Sequence, residues 1–315
     1  MGWNGALTQS SALGDSITFT PDTGAEGAYT VSPFTAPCKG VYRFELVASG
    51  GTANSAAGGT GGRTDGYLLL EKGQTVYVGA GGTCSAAFVA SQTGDALSAI
   101  AQAALLLVSG AGGAGGRSGF YESDKKGAVT AGGNGGGTSG ANSISGGKGG
   151  TQSAGGAGYG DFADGVLPES GAYGAGGAGG SDDSYPVGAC IGGRGGDGYY
   201  GGGGGAANAV SNSATGANSA YAYGGGGGCG YVKSETLTVQ DKTYTSTTSQ
   251  GGGAESNNNG SVVVTYFARA ELPINFNGTQ LDRLFFNGVE IGSVIFNGTK
   301  LFFERMRRRA AGWCM

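Results

Sequence analysis

The side chains that could carry out chemistry are few, and histidine is not among them. The chain of 315 residues contains no histidine, so it offers no imidazole base, no Ser-His or Cys-His nucleophile pair and no His-ligated zinc. The only adjacent acidic pair is Asp182-Asp183, for which a solvated loop is favoured over a catalytic or calcium-binding role. We therefore expect no catalytic residues, no metal site and no enzyme activity.

The glycine-rich stretches do not form a nucleotide-binding motif. Gly147-Lys148 is followed by Gly149, where a P-loop needs Ser or Thr to reach magnesium. Many segments fit G-x-G-x-x-G, but chance produces such matches at this glycine content, and no βαβ unit surrounds them. The net charge of −4 gives no electrostatic case for nucleic acid. We expect neither a cofactor nor a nucleic-acid partner.

Seven tyrosines that interrupt or flank the glycine blocks are the candidates for a binding site. Glycine offers no side chain for recognition, whereas tyrosine gives a large contact area at a low cost in conformational entropy. The alternative is that these rings cap the ends of the glycine segments and shield them from water. The candidate receptor-binding residues are Tyr159, Tyr173, Tyr185, Tyr199, Tyr200, Tyr221 and Tyr223.

The five cysteines lack the spacing of a metal site. No two of them form a C-x-x-C pair, which a structural zinc site would favour. A disulfide such as Cys190 with Cys229 is compatible with the sequence but cannot be deduced from it. We expect free, mostly buried thiols.

Neither a secretion signal nor a membrane span is expected. Residues 1–5 show no basic or apolar signal region, so the sequons at Asn259, Asn277 and Asn297 are interpreted as turn residues. The most apolar window, 97–108, has 12 residues, whereas a helix needs about 20 to cross a bilayer. It is predicted as a short Ala-rich helix followed by a strand. The arginines at 305 and 307–309 are interpreted as a solvated tail or a partner contact.

Glycine is the main structural feature of the chain. Of the 73 glycines, 46 lie between residues 110 and 230, mostly in G-G-x blocks. A polyproline-II-type helix has three residues per turn and a rise of about 3.1 Å per residue, so G-G-x leaves two bare faces on which other backbones can pack. A flexible linker is the other interpretation. The recurring blocks, the tyrosines between them and the strands that follow favour an ordered bundle.

Strand-like segments lie on both sides of this glycine region. In residues 41–47 apolar side chains alternate with Arg43 and Glu45, the period of a half-buried strand. Residues 67–70 and 75–78 are predicted to form a hairpin. Further predicted strands are 15–20, 29–35, 231–239, 243–248 and 260–267. We therefore predict one β domain that brackets the glycine region, with its last strand pairing near its first.

Residues 270–315 contain a ten-residue repeat centred on Asn277-Gly278, Asn287-Gly288 and Asn297-Gly298. Asn-Gly between β-forming residues is a strong hairpin signal, so we predict a meander of eight-residue strands. A sheet of this size is marginal alone, and we expect it to pack on the main domain or to self-associate, for instance as a homotrimer. These short repeats resemble C-terminal modules of phage and prophage tail proteins.

An ordered succession of motifs in residues 27–268 is more specific than the composition. In chain order the motifs are Phe34-Thr35-Ala36-Pro37, 40–46, Gly50-Gly51, 58–62, 66–70, 72–78, 107–113, 224–231 and 260–266. This succession is similar to the glycine-rich domain of anaplastic lymphoma kinase-type receptors and its bacterial and phage relatives. The resemblance implies a jelly-roll, tumour-necrosis-factor-like β-sandwich with an inserted polyglycine-II bundle. Such bundles also resemble those of glycine-rich adhesins at phage tail-fibre tips.

The chain departs from these receptors in ways that limit the comparison. Val47-Ala48 stands where relatives often carry Trp-Gly, and no kinase or transmembrane segment follows. The cytokine-binding role of the receptors is therefore not carried over to this chain.

We expect an all-β protein in three parts. Residues 1–26 are a candidate attachment segment, 27–269 the glycine-rich β-sandwich with its bundle at 110–230, and 270–315 the repeat module. The expected function is a phage or prophage virion protein, a tail-fibre or appendage adhesin that recognises a bacterial surface glycan or protein and assembles with other virion proteins in the host cytoplasm. The alternatives are a purely structural virion component (head fibre, decoration or tail-assembly protein) and a bacterial surface protein with its own export route.

Overall fold

The computed structural model describes residues 3–4, 12–118, 126–159, 165–182, 190–212 and 217–270, together with six short strands between residues 274 and 302. The chain divides into two units, Met1–Ala270 and Glu271–Met315. The strands of the first unit are β1 (Trp3–Asn4), β2 (Ser16–Phe19), β3 (Tyr29–Thr35), β4 (Gly40–Val47), β5 (Gly62–Leu70), β6 (Thr75–Gly81), β7 (Ala87–Ala90), β8 (Leu105–Ser109), β9 (Lys126–Val129), β10 (Ser181–Asp182), β11 (Cys190–Ile191), β12 (Ala207–Asn212), β13 (Ala217–Ala222), β14 (Tyr231–Val232), β15 (Thr236–Val239), β16 (Lys242–Thr245), β17 (Thr247–Gly252) and β18 (Ser261–Arg269).

Two antiparallel sheets enclose the main core, which confirms the predicted all-β class. One sheet has the strand order β1-β2-β18-β4-β5-β17, and the other has the order β14-β8-β7-β6-β3. Phe44 of β4 and Val264 of β18 pack from the first sheet against Val78 of β6 and Val89 of β7 from the second. The two sheets therefore form a β-sandwich-like core.

Strand β4 has the predicted alternation. Tyr42, Phe44 and Leu46 are fully buried, whereas Arg43 and Glu45 lie partly exposed on the other face. These two charged residues join Arg63 and Asp65 of the neighbouring β5 in a network of ion pairs. One face of the strand is thus apolar and the other ionic.

The last long strand pairs near the first, as predicted. Strand β18 lies between β2 and β4, with Val264 opposite Ile17 on one side and opposite Phe44 on the other. Ile17 and Phe19 of β2 are buried in the core, so the predicted segment 1–26 supplies a strand to the sandwich. A role of that segment in attachment stays a prediction.

The predicted hairpin between 67–70 and 75–78 is wrong. Strands β5 and β6 belong to different sheets, although Gln74 N donates to Glu71 O at 3.0 Å in the turn between them. Leu70 and Val76 are both buried in the core between the sheets. Turn residues indicate only that the chain reverses its direction. They do not show whether the two strands that the turn joins pair with each other in one sheet or belong to the two opposite sheets of a sandwich.

The predicted Ala-rich helix in the window 97–108 is also wrong. This segment contains two 3₁₀ turns, Leu97–Ala99 and Gln102–Ala104, before strand β8. Neither turn has a side-chain cap at its N-terminus, and Leu97 and Ile100 are buried against the second sheet. Because no side chain caps the N-terminus of a helix here, and because Leu97 and Ile100 are held by packing against the sheet, the segment forms two short 3₁₀ turns and not one α-helix.

The glycine region, residues 110–230, crosses repeatedly between two ends as extended segments. We call the end next to the sandwich the near end. There the glycine region begins at Gly110, directly after β8, and ends at Gly230, directly before β14. The amides that one segment directs to a given neighbour recur every third residue: those of Ala111, Ala114 and Arg117 donate to Asp197, Arg194 and Ile191, each at 2.8 Å. The opposite end, the far end, carries the small sheets β12-β13-β9 and β10-β11.

The second unit contains three separate hairpins. They pair β19 (Ile274–Phe276) with β20 (Thr279–Leu281), β21 (Phe285–Phe286) with β22 (Val289–Glu290), and β23 (Ser293–Phe296) with β24 (Thr299–Phe302). Two residues separate each pair, which confirms a hairpin at every Asn-Gly step. The described strands have two to four residues. The predicted eight-residue strands run through residues 282–284 and 291–292, which lie outside the described residues, so their length stays a prediction.

Within the part of the chain that the structure describes, no helix is both long and apolar enough to cross a membrane.

Candidate functional site

Two runs of five glycines, 201–205 and 224–228, form the interior of the glycine region. The second run exchanges backbone hydrogen bonds with six surrounding segments, at 110–116, 130–137, 140–143, 146–150, 192–198 and 201–205. The first run likewise contacts six, at 146–150, 154–159, 169–172, 176–180, 192–198 and 224–228. Each run is therefore surrounded by backbone on all sides.

The close packing explains why these two runs are uninterrupted. A Cβ placed on any of the ten glycines would lie 1.9–2.3 Å from a backbone oxygen of a neighbouring segment, far inside van der Waals contact. In the surrounding segments that lie at the surface the third residue of G-G-x is exposed, as Asn134, Ala157 and Ala178 are, whereas Ala114 and Asp197 occupy the same position in segments 110–116 and 192–198 and are buried. A side chain is thus excluded from the two interior runs and is tolerated at the third position of the segments around them.

Three of the seven predicted site residues lie at the near end. Tyr173, Tyr199 and Tyr200 contact one another with ring centroids 5.4–6.1 Å apart, and Tyr199 stacks on Tyr231 of β14 at 4.3 Å. The Tyr173 hydroxyl donates to Ile100 O at 2.6 Å. Burial and the neighbouring tyrosines raise the pKa of Tyr173 to about 12. These rings close the glycine region against the second sheet, which matches the capping alternative.

Three other predicted residues come together at the far end. The rings of Tyr159 and Tyr223 meet edge to face at 5.8 Å, and those of Tyr221 and Tyr223 lie nearly parallel at 6.5 Å. Lys148 Nζ lies 5.8 Å from the centroid of the Tyr159 ring. We call these four residues the far-end cluster. The seventh candidate, Tyr185, lies outside the described residues.

Backbone hydrogen bonds to the interior glycines position the far-end cluster. Lys148 N donates to Ala157 O at 3.0 Å, and Lys148 O accepts from Gly203 N at 2.8 Å. Tyr159 N donates to Gly204 O at 3.1 Å. The backbone of Lys148 and Tyr159 is thus held by hydrogen bonds, while both side chains are exposed. Burial, with Tyr159 and Tyr221 nearby, raises the pKa of Tyr223.

Sequence reasoning missed the aliphatic residues of the far end. Ile144, Val166 and Leu167 are 77%, 67% and 58% exposed. Ile144 follows Ser143, whose hydroxyl donates to Ala131 O at 2.7 Å. Val166 N donates to Ser181 O of β10 at 2.8 Å. The available signal was the position of aliphatic side chains in short breaks between glycine blocks, and exposed apolar groups of this kind are typical of interaction sites.

A buried ion pair ties the glycine region to the sandwich. Arg194 Nη2 lies 2.6 Å from Asp197 Oδ1, which also accepts from Gly176 N at 2.8 Å. Asp197 Oδ2 accepts from the Tyr29 hydroxyl of β3 at 2.7 Å. Burial raises the pKa of Asp197, and Arg194 opposes that shift. Burial beside Asp197 also raises the pKa of Tyr29. Arg194 neutralises the Asp197 carboxylate, and hydrogen bonds from Gly176 and Tyr29 stabilise it further, so we interpret the arrangement as structural.

The four described thiols lie in the interior of the protein. Cys38, Cys84 and Cys229 are buried and free, which confirms the expectation for these three, and Cys190 is buried as well. Burial raises the pKa of Cys84 and of Cys229 to about 11, so both are protonated at neutral pH and poor nucleophiles. Among the described residues no three or more Cys, Asp or Glu side chains are grouped to hold a metal.

The sequence matches no protein-family model and no curated protein sequence. The geometry of the far end is therefore the basis on which a function can be assigned.

Proposed function

We propose that the glycine region is a polyglycine-II bundle inserted in a jelly-roll-like sandwich, as in the glycine-rich domain family. Two observations support this. The amides that a segment directs to one neighbour recur every third residue, the period of a polyproline-II-type helix. None of the ten glycines in 201–205 and 224–228 has a positive φ, which fits the negative φ of that helix.

We propose that the protein is a phage or prophage virion adhesin, of the tail-fibre or appendage type, that binds a bacterial surface receptor through the far end of the bundle. The observation that carries the proposal is the far-end cluster: aromatic rings, and a lysine that forms no ion pair with the described residues, on a hydrogen-bonded backbone. Rings held in place lose little conformational entropy on binding. The exposed aliphatic residues Ile144, Val166 and Leu167 extend the apolar surface of the same end.

The other parts of the chain are assigned to assembly. The sandwich supports the bundle, and the C-terminal hairpins attach the protein to other virion proteins or to further copies of itself. The site of action is the virion, assembled in the host cytoplasm.

Cell binding by a far-end variant tests the proposal. The purified chain, fluorescently labelled, is expected to bind host cells, and Tyr159→Ala should abolish binding without changing the unfolding temperature. Phe267→Ala is a matched control, because Phe267 is 41% exposed and Tyr159 is 37% exposed, but Phe267 lies on β18. Unchanged cell binding by Tyr159→Ala would contradict the proposal.

One observation favours a structural virion component as the second candidate. Tyr67, Tyr244 and Phe267 form an aromatic cluster on the outer face of the first sheet, with ring centroids 5.2–5.8 Å apart, and Leu69 is exposed on the same strand as Tyr67. Such a surface suits contact with another virion protein. Electron microscopy of the particle separates the two candidates: a distal tip favours the adhesin, and a lattice position favours the structural component.

A further inference from the structure

Lys148 carries a charge that none of the described residues neutralises. Its side chain is exposed, and of the described residues no carboxylate lies within ion-pair distance of Nζ. Nζ lies 5.8 Å from the centroid of the Tyr159 ring. An exposed contact of this kind contributes only about 0.5–1 kcal/mol, so it leaves the ammonium free to engage an anion.

Three polar side chains on or beside the far-end cluster have donor groups that form no hydrogen bond with the described residues. Asn142, on the adjacent segment, uses its Oδ1 to accept from Gly149 N at 2.9 Å, and none of the described residues accepts a hydrogen bond from its amide nitrogen. The hydroxyls of Tyr159 and Tyr221 likewise form no hydrogen bond with the described residues. An ammonium, an amide NH₂ and two phenols together favour a ligand rich in acceptors.

The aromatic part of the cluster favours a sugar as that ligand. A pyranose presents apolar C–H faces beside many hydroxyls, and a tyrosine presents an apolar ring with a polar tip. The edge-to-face contact with Tyr223 holds the Tyr159 ring in place. The tyrosine rings therefore suit the apolar C–H face of an acidic sugar, and the donors suit its hydroxyl and anionic groups.

We propose that the far-end cluster binds an acidic saccharide, with the anionic group of the sugar on Lys148 and its ring against Tyr159 and Tyr223. The inference rests on the proposed adhesin function and names the class of its receptor. A carboxylate and a phosphate are the two sources of the negative charge. Either forms a charge-assisted hydrogen bond with the ammonium, and such bonds are among the stronger ones in proteins.

Calorimetric titration of the full chain tests this inference. The probes are a hexuronic-acid oligosaccharide, the neutral oligosaccharide of the same linkage and a sugar-substituted glycerol-phosphate polymer. The chain should bind one of the acidic probes at least about tenfold more tightly than the neutral one, and added salt should weaken that binding. The preferred acidic probe identifies carboxylate or phosphate as the source.

Lys148→Met keeps an unbranched side chain and removes the charge. It should weaken binding of the acidic probe at least about tenfold and leave binding of the neutral probe unchanged. Lys242→Met, at an exposed lysine of β16, is the matched control and should change neither. Equal affinity for acidic and neutral probes, an unaffected Lys148→Met variant, or preference for an acidic peptide would each overturn the inference.

Cell binding, measured in parallel, separates this inference from the function on which it rests. If Tyr159→Ala abolishes cell binding but no saccharide binds, the receptor class is wrong and the adhesin function stands. If the chain binds acidic saccharides but no host cells, the saccharide site stands and the adhesin function fails.

Discussion

Lys148 and Gly203 are joined through their backbones: Gly203 N donates to Lys148 O at 2.8 Å, and Gly203 O in turn accepts from Gly226 N at 2.9 Å. An exposed lysine is thus one hydrogen bond from the first interior run and two from the second. The backbone of the far-end cluster is therefore positioned by glycines buried in the interior of the region.

Gly226→Ala should destabilise the fold strongly. Its Cβ would lie 2.1 Å from Lys148 O and 2.3 Å from Lys148 C. Backbone atoms cannot relieve such a clash by a change of rotamer, as a side chain can. Forced overpacking costs typically 1–3 kcal/mol, and we expect about 3 kcal/mol here by urea unfolding. Ala178→Ser, at an exposed outward position, is the control. Similar stabilities for the two variants would contradict the packing described.

Arg194→Met should destabilise the junction between glycine region and sandwich. The variant leaves the Asp197 carboxylate, 3% exposed, without its cation, and removal of one partner of a buried pair costs about 3–5 kcal/mol. The double variant Arg194→Met with Asp197→Leu should recover part of this loss, since no buried charge remains. Urea unfolding of the single and double variants measures the effect. A double variant less stable than Arg194→Met alone would show that the charge is not the cause.

Two tyrosines from opposite ends should behave oppositely. Tyr199→Ala removes the stack on Tyr231 and should cost about 2 kcal/mol, since aromatic pairs add to the burial of area, while cell binding at low temperature persists. Tyr159→Ala should leave stability within about 0.5 kcal/mol, as surface changes do, and abolish cell binding. Loss of cell binding in Tyr199→Ala, with its fold intact, would contradict this division of roles.

Stability at acid pH should depend on Asp65. Burial acts to raise its pKa, but hydrogen bonds from Arg63 and Arg43 and their charges outweigh burial and lower it. A carboxyl with a lowered pKa in the folded state stabilises the fold above its usual pKa of 3.8, and this contribution is lost as the pH falls through the folded-state value.

Asp65→Asn should accordingly be less stable than the wild type at pH 6 by about 1 kcal/mol, as expected for a partly exposed ion-pair network. The difference should shrink as the pH falls below about 4, where the carboxyl of the unfolded chain becomes protonated, and should be lost once the pH has passed the lowered pKa of the folded state. Urea unfolding across pH 2.5–6 is the measurement. A stability difference that is constant across this range would refute the role of the carboxylate.

Local patterns in the sequence predict the elements better than their connections. Alternation around Arg43 and Glu45 identifies strand β4, because burial of one face is a local property. The turn between Leu70 and Thr75 looks the same in a hairpin and in a crossing between sheets, so its sequence does not decide which sheet follows. Only the partners of each strand, distant in the chain, settle that choice.

The same limit applies to the candidate site. Seven tyrosines beside glycine blocks were equivalent in sequence, yet Tyr199 lies at the near end and Tyr159 at the far end. The end at which a tyrosine lies depends on how many times the chain has run from one end to the other before that residue. The pairing of the segments is determined by backbone hydrogen bonds, and the types of the side chains do not indicate it. The uninterrupted runs were a stronger clue, because five glycines in a row leave no outward position for a side chain.

The two interior runs, 201–205 and 224–228, should be rigid, because their backbone is fully hydrogen-bonded. All ten amides of 201–205 and 224–228 donate a hydrogen bond. Amide hydrogen exchange of the intact chain tests this directly. The structure predicts strong protection of both runs, comparable with that of β4 and β18 in the sandwich. Exchange in either run at the rate of an unstructured glycine peptide would contradict it.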